Sequence, residues 1–175
     1  MKKTLICLAV LLLCACLPGC AGKEQSVKAV ITGEGASMIG TMAPPALTVM
    51  SGTQEIQTRS GSCVWDRGGY PIYACGPFVF ESYLKGDLVP LDAVPGKPLE
   101  LRFETMPDRV TVTVWKAECA TPDHSRYEES ADLPVTDNAF TFPADGEYLC
   151  EVTAEWDEVD GYGGKAIYAF AAAGK

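Results

Sequence analysis

From Ala46 onward the chain alternates apolar and polar residues in short runs split by glycine, proline and aspartate. Leu99-Glu100-Leu101-Arg102-Phe103 and Val110-Thr111-Val112-Thr113-Val114 alternate without a break. Successive side chains of an extended chain point to opposite faces, so each such run predicts a strand with one buried face. Further runs of the same kind predict strands over 46–50, 55–59, 62–65, 72–80, 139–142, 148–156 and 166–171. No stretch of about eleven or more residues beyond the leader repeats with the helical period. Short strands at this spacing predict an all-β fold, a sandwich or a barrel.

The stretch Asp145-Gly146-Glu147-Tyr148-Leu149-Cys150 narrows the choice. A tyrosine two residues before a cysteine resembles the tyrosine corner of immunoglobulin domains, where it opens strand F and ties the crossing between sheets to backbone. The predicted fold class is therefore an Ig-like β-sandwich of about 7–9 antiparallel strands. In that register 99–103 is strand B, 110–116 strand C, 148–156 strand F and 166–171 strand G. Trp115 falls on strand C, where the core tryptophan is expected. Strand B carries no cysteine, so the usual bridge between the sheets has no first partner.

The first residues read as an address. Met1-Lys2-Lys3 is a short positive segment, and 5–17 is an apolar run too short for the roughly 20 residues of a membrane span. It ends in Leu17-Pro18-Gly19-Cys20, which resembles a bacterial lipobox. There the thiol is obligatory, because lipid is attached to its sulfur before cleavage. Leu13-Cys14-Ala15-Cys16 offers a second match, and an ordinary secretory cut near Ala21 is the alternative. The expected organisation is a lipoprotein signal peptide over 1–19, a lipidated tether over 20–43 beginning at Cys20, and the sandwich over 44–175. Acyl chains, palmitate among them, would anchor the mature protein to the outer face of the cell membrane without spanning it.

Four cysteines follow Cys20: Cys63, Cys75, Cys119 and Cys150. An even count in an exported chain suggests disulfides, and four cysteines allow three pairings. Cys63 and Cys75 flank Asp66-Arg67-Gly68-Gly69-Tyr70-Pro71, a hairpin turn by composition. This favours Cys63 with Cys75 and leaves Cys119 with Cys150. No CxxC motif supports thioredoxin-like chemistry or a four-thiolate zinc site.

Charge removes other classes. The net charge is −9. Residues 117–160 carry thirteen acids and one base, Arg126. Nucleic acid calls for clustered Lys and Arg, so it is excluded as a partner. The single histidine, His124, excludes sites built on several imidazoles, and its polar loop predicts a solvated side chain rather than a catalytic one. Asp157-Glu158-Val159-Asp160-Gly161 offers carboxylates to calcium but lacks EF-hand spacing, so no metal site is assigned. Trp65, Trp115 and Trp156 offer aromatic faces for a glycan platform, yet their strand positions favour core packing. No catalytic residue and no cofactor is assigned.

Several segments together resemble an uncharacterised family of clostridial-type bacterial lipoproteins carrying an Ig-like module. They are Pro45-Ala46-Leu47-Thr48-Val49, Gly61-Ser62-Cys63-Val64-Trp65, Pro107-Asp108-Arg109-Val110, Val114-Trp115, Gly146-Glu147-Tyr148 and Tyr162-Gly163-Gly164-Lys165-Ala166-Ile167-Tyr168-Ala169-Phe170. The resemblance implies an extracytoplasmic location and a sandwich fold, and it carries no catalytic residues. Family members often place tyrosine where this chain has Cys63 and Cys150. The expected role is a non-catalytic binding or sensing module with a cell-envelope protein or glycan as partner. The alternative is an accessory envelope protein acting through an acidic sheet.

Overall fold

A computed structural model describes residues 43–142 and 145–174. The expected signal peptide, Cys20 and the expected tether up to residue 42 lie outside the described residues. The chain forms β1 (Leu47–Ser51), β2 (Gln54–Gln57), β3 (Arg59–Arg67), β4 (Ile72–Ala74), helix α1 (Val79–Leu84), β5 (Leu91–Ala93), β6 (Pro98–Phe103) and β7 (Arg109–Lys116). A 3-10 turn follows at Ala117–Cys119, then β8 (Ala131–Leu133), β9 (Ala139–Thr141), β10 (Gly146–Val159) and β11 (Tyr162–Gly174).

Two open sheets face each other. One has the order β2-β1-β6-β9, the other β4-β3-β11-β10-β7-β8, with β5 parallel to the end of β11. The expected all-β sandwich is the observed fold, with eleven strands among the described residues rather than about 7–9. β6, β7, β10 and β11 hold the places of strands B, C, F and G: β6 lies between β1 and β9, and β10 between β7 and β11. Between β1 and β5 the chain inserts β2, β3, β4 and α1. β3 pairs antiparallel with β11 and widens the second sheet. The edge strands β2, β4, β8 and β9 are only three or four residues long, which denies a neighbouring chain a long template for edge pairing.

Strict alternation builds the main core. Along β10, Cys150, Val152, Ala154 and Trp156 point between the sheets, against Leu47, Val49, Leu99, Leu101, Val112 and Val114. Trp65 from β3 is fully buried and meets Trp156 edge-on at 5.4 Å. Tyr168 donates its hydroxyl to the buried Pro45 carbonyl, which pins the chain just before β1.

A second apolar cluster covers the outer face of the larger sheet. Leu149, Trp115, Ala169 and Ala171 project outward there beneath Val79 and Phe80 of α1, with Leu88, Cys119 and Tyr127. This corrects the expectation for Trp115. It is buried, but outside the sandwich. Because Val112 and Val114 face inward, residue 115 must face out. Its indole N–H donates to the Tyr127 carbonyl at 2.7 Å. The core tryptophans between the sheets are Trp65 and Trp156.

α1 corrects a second expectation: the strand expected over 72–80 ends at Ala74, and residues 79–80 open a helix. Six residues are too few for a helix to be stable alone, and its N-cap, Phe78, makes no side-chain capping bond. Burial of Val79 and Phe80 on the sheet holds it. Among the described residues no helix is long and apolar enough to cross a membrane.

Candidate functional site: a fastened loop apex

At one end of the sandwich three connections come together. Residues 104–108 join β6 to β7. Asp160-Gly161 joins β10 to β11. The turn after β3 begins at Gly68-Gly69. Asp160, Gly161, Gly68 and Gly69 all have positive φ, between 53° and 82°. Asp-Gly is the pair that a two-residue type I′ hairpin demands. A side chain at Gly161 would lie 3.0 Å from the Gly68 and Gly69 backbone, so the two hairpin tips meet through glycine alone.

Backbone bonds fasten the three connections. The Gly68 N–H donates to the Gly161 carbonyl at 2.5 Å, and the Asp108 N–H to the Glu155 carbonyl at 2.8 Å. The Asp157 N–H donates to Asp108 Oδ2 at 2.7 Å, and the Trp156 indole to the Thr105 carbonyl at 3.1 Å. Asp66 Oδ1 accepts from the Gly69 N–H at 2.6 Å. Arg109 bridges Glu155 at 3.1 Å and Asp157 at 2.8 Å. Its hydrogen bond is the main cause holding the Glu155 carboxyl below the usual carboxylate range.

This scaffold holds apolar side chains in water. Tyr70 is 75% exposed, Met106 50% and Val159 49%; Tyr70 follows the turn after β3, Met106 lies between β6 and β7, and Val159 ends β10 beside the Asp160-Gly161 turn. At the same end of the sandwich lie Asp157, Glu158 and Asp160, with Arg67 opposite Tyr162. Asp157 is neutralised by Arg109, whereas Glu158 and Asp160 form no ion pair among the described residues. Exposed apolar groups rimmed by like charge on preordered loops are suited to recognition. Because the rim is acidic, a basic partner would be steered toward it.

Among the described residues no group of three or more His, Cys, Asp or Glu converges to hold a metal ion. His124 is not the solvated side chain expected. It is half-buried, has φ 54°, and lies flat over Phe80 at 5.9 Å. Neighbouring Asp123 accepts from the Ser125 N–H, an arrangement that shapes the loop. All three tryptophans are at most 3% exposed, so they form no glycan platform.

All four described cysteines are free thiols, and neither expected bridge is formed. The registers give the reason. Cys63 stands opposite Ala74, not Cys75. Cys63 packs toward the main core, while Cys75 is exposed. Cys150 lies between the sheets and Cys119 in the outer cluster, with the sheet between them. Burial pushes the Cys150 thiol well above its usual range.

Tyr70 and Met106 were not singled out from sequence. An isolated exposed apolar residue is ordinary, and only the fastening of three distant connections groups these two with Val159. Comparisons with models of protein families, with curated proteins and with solved structures found no match.

Proposed function

We propose that this protein is a non-catalytic binding or sensing module, held at the extracytoplasmic face of the membrane by lipid on Cys20. Its loop apex engages another envelope protein through a basic surface with an apolar centre. The lipobox-like Leu17-Pro18-Gly19-Cys20 and the resemblance to clostridial-type lipoproteins support the anchor. The observation that carries the reading is the fastened apex, with exposed Tyr70, Met106 and Val159 inside an acidic rim. Ordering these loops before contact removes a cost that binding would otherwise bear. The acidic-sheet alternative is less well supported, because Arg109 and Lys165 both pair with Glu155 on the outer face of β10.

Site-specific photocrosslinking in cells tests the proposal. A photoreactive amino acid is placed at Tyr70, at Val159, or at Thr111 on the outer sheet face. Adducts with one protein from positions 70 and 159, weakened by salt, are the expected result. Adducts from position 111 alone would favour the sheet instead.

A further inference from the structure

The outer face of the larger sheet carries a straight row of side chains across five strands. The registers set Tyr73 of β4 opposite Val64 of β3, and Val64 opposite Lys165 of β11. Lys165 stands opposite Glu155 of β10, and Glu155 opposite Arg109 of β7. Paired residues share a face, and Trp65 beside Val64 points into the core, so all five point outward. Four strand spacings make the row about 19 Å long. The cluster under α1 lies farther along the sheet, over Leu149, Ala169 and Ala171, and leaves the row open. Tyr73 is 74% exposed and Val64 47%.

Two properties decide what the row can hold. Its charges cancel. Glu155 lies 3.1 Å from Arg109 and 3.5 Å from Lys165, and Asp157 lies 2.8 Å from the other side of Arg109. Two cations and two carboxylates leave no net charge for an ionic partner. The pairs also leave groups over. A guanidinium has five N–H donors and an ammonium three, and each carboxylate keeps lone pairs beyond its ion pair. Donors and acceptors therefore alternate along the row at strand spacing, and a hydroxyl group, donor and acceptor at once, satisfies both. At the other end Tyr73 and Val64 offer apolar surface without charge. The backbone groups of this face are spent within the sheet, so a peptide lying across it gains no strand pairing.

The geometry points to a binding site for a neutral, extended oligosaccharide laid along this row. The C–H face of one sugar ring packs on Tyr73 and Val64, and the hydroxyls of the following rings bond Lys165, Glu155 and Arg109. A straight row favours a flat β-1,4-linked chain over a curled α-1,4-linked one. The site differs in ligand and in residues from the protein contact proposed for the apex, and neither depends on the other.

The test is calorimetric titration of the full-length protein, in a detergent without a sugar headgroup, with cellotetraose and with maltotetraose. Saturable binding of cellotetraose is expected, tighter than that of maltotetraose and unchanged between about 0.05 and 0.5 M salt, because the ligand carries no charge. Tyr73→Ala should weaken it by about tenfold, the loss of an aromatic contact, with the melting temperature unchanged at so exposed a position. Lys165→Ala should weaken it too, while Met106→Ala at the apex binds as the parent does. No saturable binding of cellotetraose up to about 10 mM overturns the proposal. So does binding that Tyr73→Ala leaves intact, or equal binding of the two tetrasaccharides.

Discussion

Trp115→Ala separates the two cores. The indole ring lies 4.9 Å from the Tyr127 ring and 5.7 Å from that of Phe80, and its N–H bonds the Tyr127 carbonyl. Truncating a buried tryptophan costs about 3–5 kcal/mol, and an orphaned carbonyl adds to that unless water reaches it. The loop carrying Tyr127 is free to relax, so about 4 kcal/mol is the working figure. For a domain of this size that lowers the melting temperature by roughly 12 °C. The loss is local. It loosens α1 and residues 117–130 over the outer face, while the core between the sheets keeps its contacts. Pulsed thiol labelling with mass spectrometry reads this directly. Cys119 sits in the outer cluster and Cys150 in the core, each at most 3% exposed. The variant should label Cys119 much faster than the parent does, and Cys150 scarcely faster. Equal acceleration at both thiols would mean that Trp115 supports the inter-sheet core, and would refute the assignment of two cores.

Gly164→Ala should cost more than about 2 kcal/mol in urea unfolding: φ there is 138°, and a Cβ would run into the Val64 carbonyl of β3. Tyr168→Phe strands the buried Pro45 carbonyl, and a loss of about 1–3 kcal/mol is expected by the same assay. Glu151 is raised above the usual carboxylate range, chiefly by burial, with Lys165 opposing. A carboxyl raised on folding binds its proton more tightly in the native state, so its ionisation lowers stability as pH rises from the unfolded value. Glu151→Gln should therefore melt higher than the parent at pH 7 and lose that advantage below about pH 4, where the parent carboxyl is protonated in both states. An unchanged difference across that range would place the effect elsewhere.

The strands whose polar positions alternate regularly were legible in the sequence. β6 and β7 fall close to where alternation put them, because mainly one face of each is buried, and β10 and β11 do so although the cluster under α1 also buries their outer face at Leu149, Ala169 and Ala171. Trp115 was misassigned by following the fold's usual position for a tryptophan. The parity of Val112 and Val114 already turned it outward. α1 was invisible because Val79-Phe80-Glu81-Ser82-Tyr83-Leu84 mixes β-branched and aromatic residues with no cap, and only the sheet beneath makes it a helix. β5 is three residues of parallel pairing to a strand about eighty positions later, which no local pattern encodes. Neither expected cysteine pair is seen among the described residues. A turn centred on Gly68-Gly69 brings the right segments together, but the register sets Cys63 against Ala74. The acidic rim was visible as composition. Its grouping with Met106 depends on bonds spanning 49 and 51 positions of chain, and that with Tyr70 on the bond from the Gly68 N–H to the Gly161 carbonyl.

Amide hydrogen exchange at the apex tests the account most directly. If the three connections form one ordered surface, the Gly68, Asp108 and Asp157 amides should exchange as slowly as the neighbouring strand ends, because each is bonded across to another connection. The Tyr70 amide, beyond the turn, should exchange faster. Exchange of all four at the rate of an unprotected chain would contradict the account, since the apolar groups would then ride on independent loops rather than on a prepared binding surface.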